Sequence, residues 1–252
     1  RSMADTVWAD VDGVKIKERK AGNGRVIAGK SLAEIFAGDA LPPDFEYRGS
    51  SPDSRLDYIH RRSDAADIYF VANLMSRPEK AECIFRTAGR QPEIWDAVTG
   101  ERRDAADFRV EKNRTVMPLE FASRQSWFVV FRKPSGNAKP GAGNFPTLTV
   151  AGELTGPWTV QFDPKWGGPA SITFDTLQDW TKRAEPGIRH YSGKAVYRKT
   201  FDLPESLCSG GKRVFLDLGR IKNVAEVRLN GKNLGVVWTA PWRVDISAAV
   251  QP

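Results

Sequence analysis

Apolar residues recur at every second position along much of this chain, which is the spacing of half-buried β-strands. The segments are short, rich in aromatic and β-branched residues, and separated by Gly, Asn, Asp or Pro. In the first half the predicted strands are 57–62, 67–73, 81–86, 93–96, 113–119 and 126–131. Strands this short and this regularly spaced predict an antiparallel sandwich over residues 48–133.

The second half, residues 147–252, repeats the β pattern. Its predicted strands are 158–162, 193–201, 212–218, 224–229, 234–238 and 244–246, with a further one around Leu154. Asn230-Gly231 is a two-residue hairpin signal, because both turn positions need positive φ. A jelly roll has about eight strands and only six or seven are found here, so we expect a jelly roll cut short at its C-terminus. Its open edge near Val244–Pro252 would then pair with another chain or be disordered.

The first 47 residues differ from the rest. A brief strand at 24–29 is followed by Ser31, a predicted N-cap that forms a capping box with Glu34. A short helix then ends near Gly38. A strand and a helix cannot bury each other, so we interpret residues 1–47 as an α/β remnant of an upstream domain. Residues 134–146 are rich in Pro and Gly and predict a linker. The predicted fold is therefore mainly β, with two tandem antiparallel sandwiches after this remnant.

Composition excludes several classes of function. The chain has 252 residues and a net charge of +7, but its 38 basic residues are interleaved with 31 acidic ones, so no nucleic-acid-binding surface is predicted. No apolar run approaches the roughly 20 residues of a membrane span, and no signal peptide is recognisable. Two cysteines, Cys83 and Cys208, and two histidines, His60 and His190, are too few for a disulfide framework or a metal site.

No catalytic residues are predicted. Glycoside hydrolysis needs two carboxyl groups roughly 5–9 Å apart across a cleft. The pairs Glu93/Asp96 and Asp175/Asp179 lie in turn-like segments, where solvated carboxylates are the ordinary expectation. His60 lies inside a strand and is interpreted as a structural histidine, and no Ser-His-Asp triad can be assembled.

The residues with binding chemistry are aromatic and basic side chains in loops of the second half. Large aromatic rings suit the apolar faces of sugars, and each indole adds an N–H donor. The loop before the strand at Gly193 has two interpretations: its residues contact sugar, or they lock the loop onto the sandwich or a neighbouring domain, and we favour the second. Trp95, Trp127 and Trp158 are predicted to be core residues. The sugar-binding candidates are Trp166, Trp180, Arg189, His190, Tyr191, Trp238, Trp242 and Arg243.

Two motifs, YIHRR–ADIYFVAN and HYSGKAVYRKTF, together resemble glycoside hydrolase family 106, the bacterial α-L-rhamnosidases. The segment GRVIAGKSLAEIFAGDALPPDFEY resembles the junction that leaves the family's catalytic region. The last segment, through LNGKNLGVVWTAPWRVDI, is similar to the galactose-binding-like jelly roll shared with family 2 hydrolases.

The resemblance implies a hydrolase as the parent protein, located in the periplasm or outside the cell. The family's catalytic glutamates and its calcium ion belong to a (β/α)₈ domain that would precede residue 1. No position here inherits those roles, so the chain alone is expected to lack activity and to need no cofactor.

Two functions remain open. The first is a non-catalytic, carbohydrate-associated C-terminal portion of an α-L-rhamnosidase-like hydrolase, with rhamnose-containing glycans as ligands. The alternative is a structural scaffold whose partner is the catalytic domain and which binds no sugar. A third, an independent small glycosidase, has no carboxylate pair to support it.

Overall fold

The computed structural model describes residues 2–136, 138–208 and 211–251, without the side chain of Cys208. The chain divides into two compact units, Arg1–Phe145 and Pro146–Pro252. Both are built mainly from antiparallel strands, which confirms the predicted fold class. The Cys208 side chain, and with it the expectation that this thiol is unpaired, lies outside the described residues, as does the part of the C-terminal prediction that concerns Pro252.

The first unit begins with four small elements. They are α1 (Met3–Trp8), the hairpin strands β1 (Glu18–Ala21) and β2 (Gly24–Ile27), and α2 (Leu32–Gly38). The predicted capping box of α2 is confirmed, since the Glu34 amide donates to the Ser31 hydroxyl and the Ser31 amide donates to the Glu34 carboxylate. None of the described residues before Phe45 is buried. The sequence signals for these helices and strands are local, such as the capping box, and the elements do not form a core of their own.

In the described residues, the sandwich of the first unit consists of nine further strands. They are β3 (Phe45–Gly49), β4 (Leu56–Arg62), β5 (Asp67–Asn73), β6 (Glu79–Phe85), β7 (Arg90–Asp96), β8 (Arg102–Asp104), β9 (Arg109–Glu111), β10 (Arg114–Phe121) and β11 (Ser126–Pro134). One sheet has the order β3-β6-β10-β9 and the other β4-β5-β11-β7-β8. All six strands predicted for this region are present. The strands that the sequence pattern missed are β3, β8 and β9.

Aromatic side chains join the two sheets. Tyr69 on β5 is fully buried and packs edge-on against Phe85 of β6, with ring centroids 4.9 Å apart. Its ring also stacks on His60 at 3.9 Å. The two ring nitrogens of His60 lie 2.8 Å from an Asp44 carboxylate oxygen and 3.1 Å from one of Asp67. These contacts agree with a structural role for His60, because both polar atoms of the ring have partners inside the fold.

The segment predicted to be a linker is partly attached to this sandwich. The Gly141 and Gly143 amides donate to the Asp107 carboxylate. The Asn144 side chain donates to the carbonyl oxygens of Asp107 and Pro118, and Phe145 packs on Trp127 with centroids 5.5 Å apart. Trp127 is buried in the core, as predicted, whereas Trp95 is only half-buried and lies outside the core. That prediction for Trp95 was wrong.

The second unit contains seven strands in three small sheets, counted over its described residues. Its elements are β12 (Trp158–Phe162), the 3₁₀ turn η1 (Pro164–Trp166), β13 (Ile172–Phe174), the 3₁₀ turn η2 (Trp180–Lys182), α3 (Pro186–Arg189), β14 (Ala195–Arg198), α4 (Glu205–Cys208), β15 (Phe215–Asp217), β16 (Ala225–Leu229), β17 (Lys232–Val237) and β18 (Arg243–Asp245). The sheets have the orders β13-β12-β14, β15-β18 and β16-β17. Trp158 is half-buried against the core formed around β12. Leu154, predicted to lie in a strand, precedes β12 in an irregular segment.

The β16–β17 turn is the predicted Asn-Gly hairpin, since Asn230 has φ 48° and Gly231 φ 77°. The strand predicted over 193–201 is shorter, because only Ala195–Arg198 pairs with β12. Near the C-terminus, β18 pairs with β15 of the same chain. Ile246 and Ala249 are buried there. Pairing of this edge with another chain remains a prediction.

Glu93 provides a test of the sandwich's electrostatics. Its side chain is 3% exposed and lies 2.6 Å from Arg132 and 2.8 Å from Lys133. Burial by itself would raise the pKa of Glu93, but the hydrogen bonds from Arg132 and Lys133 outweigh it, so the pKa is lowered. Its contribution to stability is therefore complete at neutral pH and decreases as the pH falls below about 4, the range of an unfolded glutamate.

We predict that Glu93→Gln destabilises the first unit by about 1–3 kcal/mol at pH 7, because it leaves Arg132 and Lys133 without their shared carboxylate. The difference from the unsubstituted protein should shrink toward pH 3. Urea unfolding at several pH values measures it, with Asp64→Asn, an exposed turn residue, as the control. A pH-independent difference would contradict this assignment.

Candidate functional site

Tyr191 is the centre of the loop that the sequence singled out. Its hydroxyl accepts a hydrogen bond from the Asp163 amide at 3.1 Å and donates one to the Lys194 carbonyl at 3.0 Å. The ring is 9% exposed and packs edge-on against Phe162 at 4.9 Å. Both the hydroxyl and the ring are therefore occupied within the unit, which supports the interpretation that this loop is locked to the fold.

Two glycines make room for the Tyr191 ring. A Cβ at Gly168 would lie 2.5 Å from the Phe162 Cβ and 2.9 Å from the Tyr191 ring, and one at Gly193 would lie 2.8 Å from the Tyr191 hydroxyl. Only a residue without a side chain fits at such distances. Within the segment 190–194, the glycine two residues after Tyr191 is therefore explained by packing against the Tyr191 ring.

Trp180 packs against the same aromatic side chains, Phe162 and Tyr191. Asp179 caps η2 by accepting a hydrogen bond from the Thr181 amide, and this bond is the main cause that lowers the pKa of Asp179. The indole packs edge-on against Phe162 at 5.3 Å and against Tyr191 at 5.7 Å. Its N–H donates to the Tyr197 hydroxyl at 2.5 Å. Trp180 is thus half-buried, with its polar atom already paired.

Arg189 and His190 are exposed at the C-terminal end of α3. The Arg189 guanidinium donates to the Arg183 carbonyl at 2.9 Å and to the Ala184 carbonyl at 3.2 Å. The His190 ring has no described hydrogen bond among the residues that the structure covers. Five candidates lie around α3, η1 and η2. Three of them, Arg189, His190 and Trp166, are exposed to solvent.

Trp166 and Trp238 are the most exposed indoles among the candidates. Trp166 ends η1 and is 70% exposed, and Trp238 follows β17 and is 58% exposed. Trp242, in the connection from β17 to β18, and Arg243, the first residue of β18, are half-buried. In the described parts of the chain, no ring contact involves Trp166, Trp238 or Trp242. The structure thus brings Trp180 and Tyr191 together and leaves Trp166 and Trp238 available to a ligand.

Tyr197 contacts Trp180, and Phe162 contacts both Trp180 and Tyr191. Neither residue was predicted to contact the candidate site. Tyr197 packs at right angles to Phe174, with ring centroids 6.0 Å apart, and burial raises its pKa. Both residues occupy ordinary strand positions, where alternation predicts burial but not which loop side chain they contact. The sequence therefore held no signal for their role.

The carboxyl groups whose pKa is shifted are shifted in the direction opposite to that of a glycosidase acid. A general acid needs a raised pKa so that it is protonated near neutral pH. Every carboxyl group of the described residues whose pKa departs from its ordinary value is shifted downward, as in Glu93, Asp179 and Asp245. Asp96 accepts hydrogen bonds from the Val98 and Thr99 amides in a turn, as expected for a turn carboxylate.

The described residues contain no group of three or more His, Cys, Asp or Glu side chains placed to hold a metal ion. No helix in the described ranges is long and apolar enough to cross a membrane.

Comparison with known proteins finds that the chain is similar to glycoside hydrolases. Residues 1–109 match the sequence model of the α-L-rhamnosidases of glycoside hydrolase family 106. The solved structure of a rhamnosidase from Novosphingobium sp. PP1Y is 32% identical and superimposes with a TM-score of 0.79 over 98% of this chain. The resemblance to this rhamnosidase family inferred from the sequence is thereby confirmed.

A curated protein of Formosa agariphila that carries the name Putative beta-glucuronidase is 38% identical over 98 residues, which is 39% of this chain. The chain spans 8% of that protein and 23% of the solved rhamnosidase. Most of each relative therefore has no counterpart in this sequence.

The Tyr191 lock can be tested by Tyr191→Phe. Removal of the hydroxyl leaves the Asp163 amide and the Lys194 carbonyl without this partner, which should cost about 1–3 kcal/mol in the unfolding of the second unit. Tyr47→Phe is a matched control in the first unit, where the hydroxyl donates to the Ser54 carbonyl at 3.2 Å. Thermal unfolding resolved by near-UV circular dichroism and tryptophan fluorescence measures the loss. If Tyr191→Phe leaves the second unit as stable as in the unsubstituted chain, the two hydrogen bonds are dispensable.

Proposed function

We propose that this chain is a non-catalytic, carbohydrate-associated C-terminal portion of an α-L-rhamnosidase-like hydrolase that cleaves rhamnosyl linkages in plant or bacterial glycans. The observation that carries the proposal is the exposure of Trp166 and Trp238 in a protein related to rhamnosidases. Exposed indoles suit the apolar faces of pyranose rings, while their N–H groups can donate to hydroxyls.

The proposed lack of catalytic function rests on the carboxyl groups. Among the described residues, the carboxyl groups whose pKa is shifted, such as Glu93, Asp179 and Asp245, all have a lowered pKa, so those groups are ionised at neutral pH and unsuited to donate a proton to a leaving group. Hydrolysis by the parent protein would then depend on residues elsewhere in the longer polypeptide. The expected location, outside the cytoplasm, rests on the family alone.

The second candidate function is a structural scaffold, and the segment before Phe45 favours it. Among the described residues of this segment none is buried, while Met3, Trp8, Leu32 and Phe36 are exposed. Helices as short as α1 and α2 depend on packing against other surfaces for stability. A catalytic domain of the parent hydrolase is the partner that would cover these side chains.

Calorimetric titration with rhamnose-containing oligosaccharides separates the two functions. The sugar-binding role predicts saturable binding that Trp238→Ala or Trp166→Ala weakens by up to about tenfold, since an aromatic contact is worth about 0.5–1.5 kcal/mol. Trp8→Ala, also an exposed indole but outside the second unit, is the control and should bind as before. The same protein should release no product from an aryl α-L-rhamnoside.

Absence of binding would favour the scaffold. Turnover of the aryl rhamnoside that is abolished by substitution of a carboxylate in this chain would overturn both functions.

A further inference from the structure

The outward face of the five-stranded sheet carries an apolar row that crosses every strand. The register aligns Ile59 with Phe70, Phe70 with Phe128, Phe128 with Trp95, and Trp95 with Arg102. We call these five side chains the outer row. Their neighbours along the strands, such as Tyr69 and Val129, point into the core and are fully buried. The outer row therefore lies on the side of the sheet that faces away from the sandwich core.

Apolar side chains are unusual on this side. An antiparallel sheet with one covered face normally alternates apolar residues inward and polar residues outward. Here Ile59 is 60% exposed and Phe70, Phe128 and Trp95 are half-buried. Phe70 and Phe128 contact each other with ring centroids 4.9 Å apart. A contiguous apolar patch of this kind marks a surface that is covered in use.

Two guanidinium groups hold Trp95. Arg102 on β8 lies 4.3 Å from the ring centre, and Arg132 on β11 lies 5.1 Å from it. Since β8 and β11 flank β7 on opposite sides, the indole stands between the two cations. Arg132 is tied to Glu93. Among the described residues, Arg102 has no ion-pair partner, so its outer N–H groups are free to bind a carboxylate while its face stacks on Trp95.

A second unpaired cation lies at the other end of the outer row. Arg61 projects from β4 on the same face as Ile59, two residues away, and is exposed. No carboxylate partner of Arg61 occurs in the part of the chain that the structure describes. An apolar row with a free guanidinium at each end is complementary to an elongated ligand with apolar faces and negative charges.

The size of the face decides between a second copy of the protein and a smaller ligand. Strands about 4.8 Å apart make the outer row about 19 Å long, and a seven-residue strand is about 23 Å long. The whole face is therefore smaller than about 440 Å², because β8 has only three residues, whereas a stable protein interface buries about 800 Å² on each partner. An extended oligosaccharide, which needs only a narrow strip, fits this face better.

We infer that the outer row is a binding site for acidic oligosaccharides, distinct from the tryptophans of the second unit. Sugar rings lie on Phe70 and Phe128, and carboxylates of uronic acid residues accept hydrogen bonds from Arg102 and Arg61. The interaction is solvent-exposed and ionic in part, so added salt weakens it. This site does not depend on rhamnose recognition, and it does not rest on the proposed function.

Titration of the ¹⁵N-labelled full chain with tetragalacturonate, followed by amide chemical shifts, tests the site. Saturable shifts are expected at β4, β5, β7, β8 and β11. Arg102→Gln and Arg61→Gln should each weaken binding about tenfold, because each removes a charged hydrogen-bond donor. Lys80→Gln, an exposed cation on the other sheet, is the matched control and should leave binding unchanged. Neutral galactotetraose should bind far more weakly.

Three results would overturn the inference. The first is no saturable shift on this face. The second is equal binding of the neutral and acidic tetramers with no effect of the arginine substitutions. The third is a concentration-dependent shift of the same amides without sugar, abolished by Phe128→Ser, which would identify a protein interface. The proposed function has a separate readout, since its binding is lost in Trp238→Ala and maps to the second unit.

Discussion

The packing of Tyr69 between the two sheets is the interaction on which the first unit depends. Its ring contacts His60 on its own sheet and Phe85 on the other, and it is fully buried. Asp44 and Asp67 fix His60 from both ring nitrogens, so the last residues before β3 and the start of β5 are tied to the same point. Sheet pairing, aromatic packing and the polar contacts around His60 therefore reinforce one another.

The second unit uses the same kind of constraint on a smaller scale. Tyr191 connects α3, β12 and β14 through its ring and hydroxyl, and Gly168 and Gly193 give it space. Two candidate binding surfaces lie outside these aromatic centres. The second unit has exposed indoles, and the first unit has the outer row, which is flanked by arginines. Neither surface is part of the two core clusters.

The sequence predicted those parts of the fold that depend on local signals. Alternation located β5 and β10, Ser31 and Glu34 located the start of α2, and Asn230-Gly231 located a hairpin. It missed β8 and β9, which are three residues long and mostly charged, because only pairing with β7 and β10 makes them strands. It also misplaced Trp95. Alternation separates two faces of a strand, but it cannot tell which one is inward when both carry apolar residues.

Candidate binding residues were predictable by type but not by availability. Tyr191 and Trp180 have suitable chemistry, yet their polar atoms are already paired within the fold. Trp166 has no neighbouring apolar residues in its loop that would bury it, and it is exposed in the structure. The outer row could not be predicted, because it exists only through the register of five strands.

Native-state hydrogen exchange measured by mass spectrometry tests most directly whether the core centred on Tyr69 is the stable part of the first unit. Amides of β5, β6, β10 and β11 should exchange only through unfolding of the whole unit, whereas those of residues 3–44 should exchange orders of magnitude faster. Equal protection of residues 3–44 and of β5 would contradict a sandwich that is stable by itself and an N-terminal segment that needs another surface.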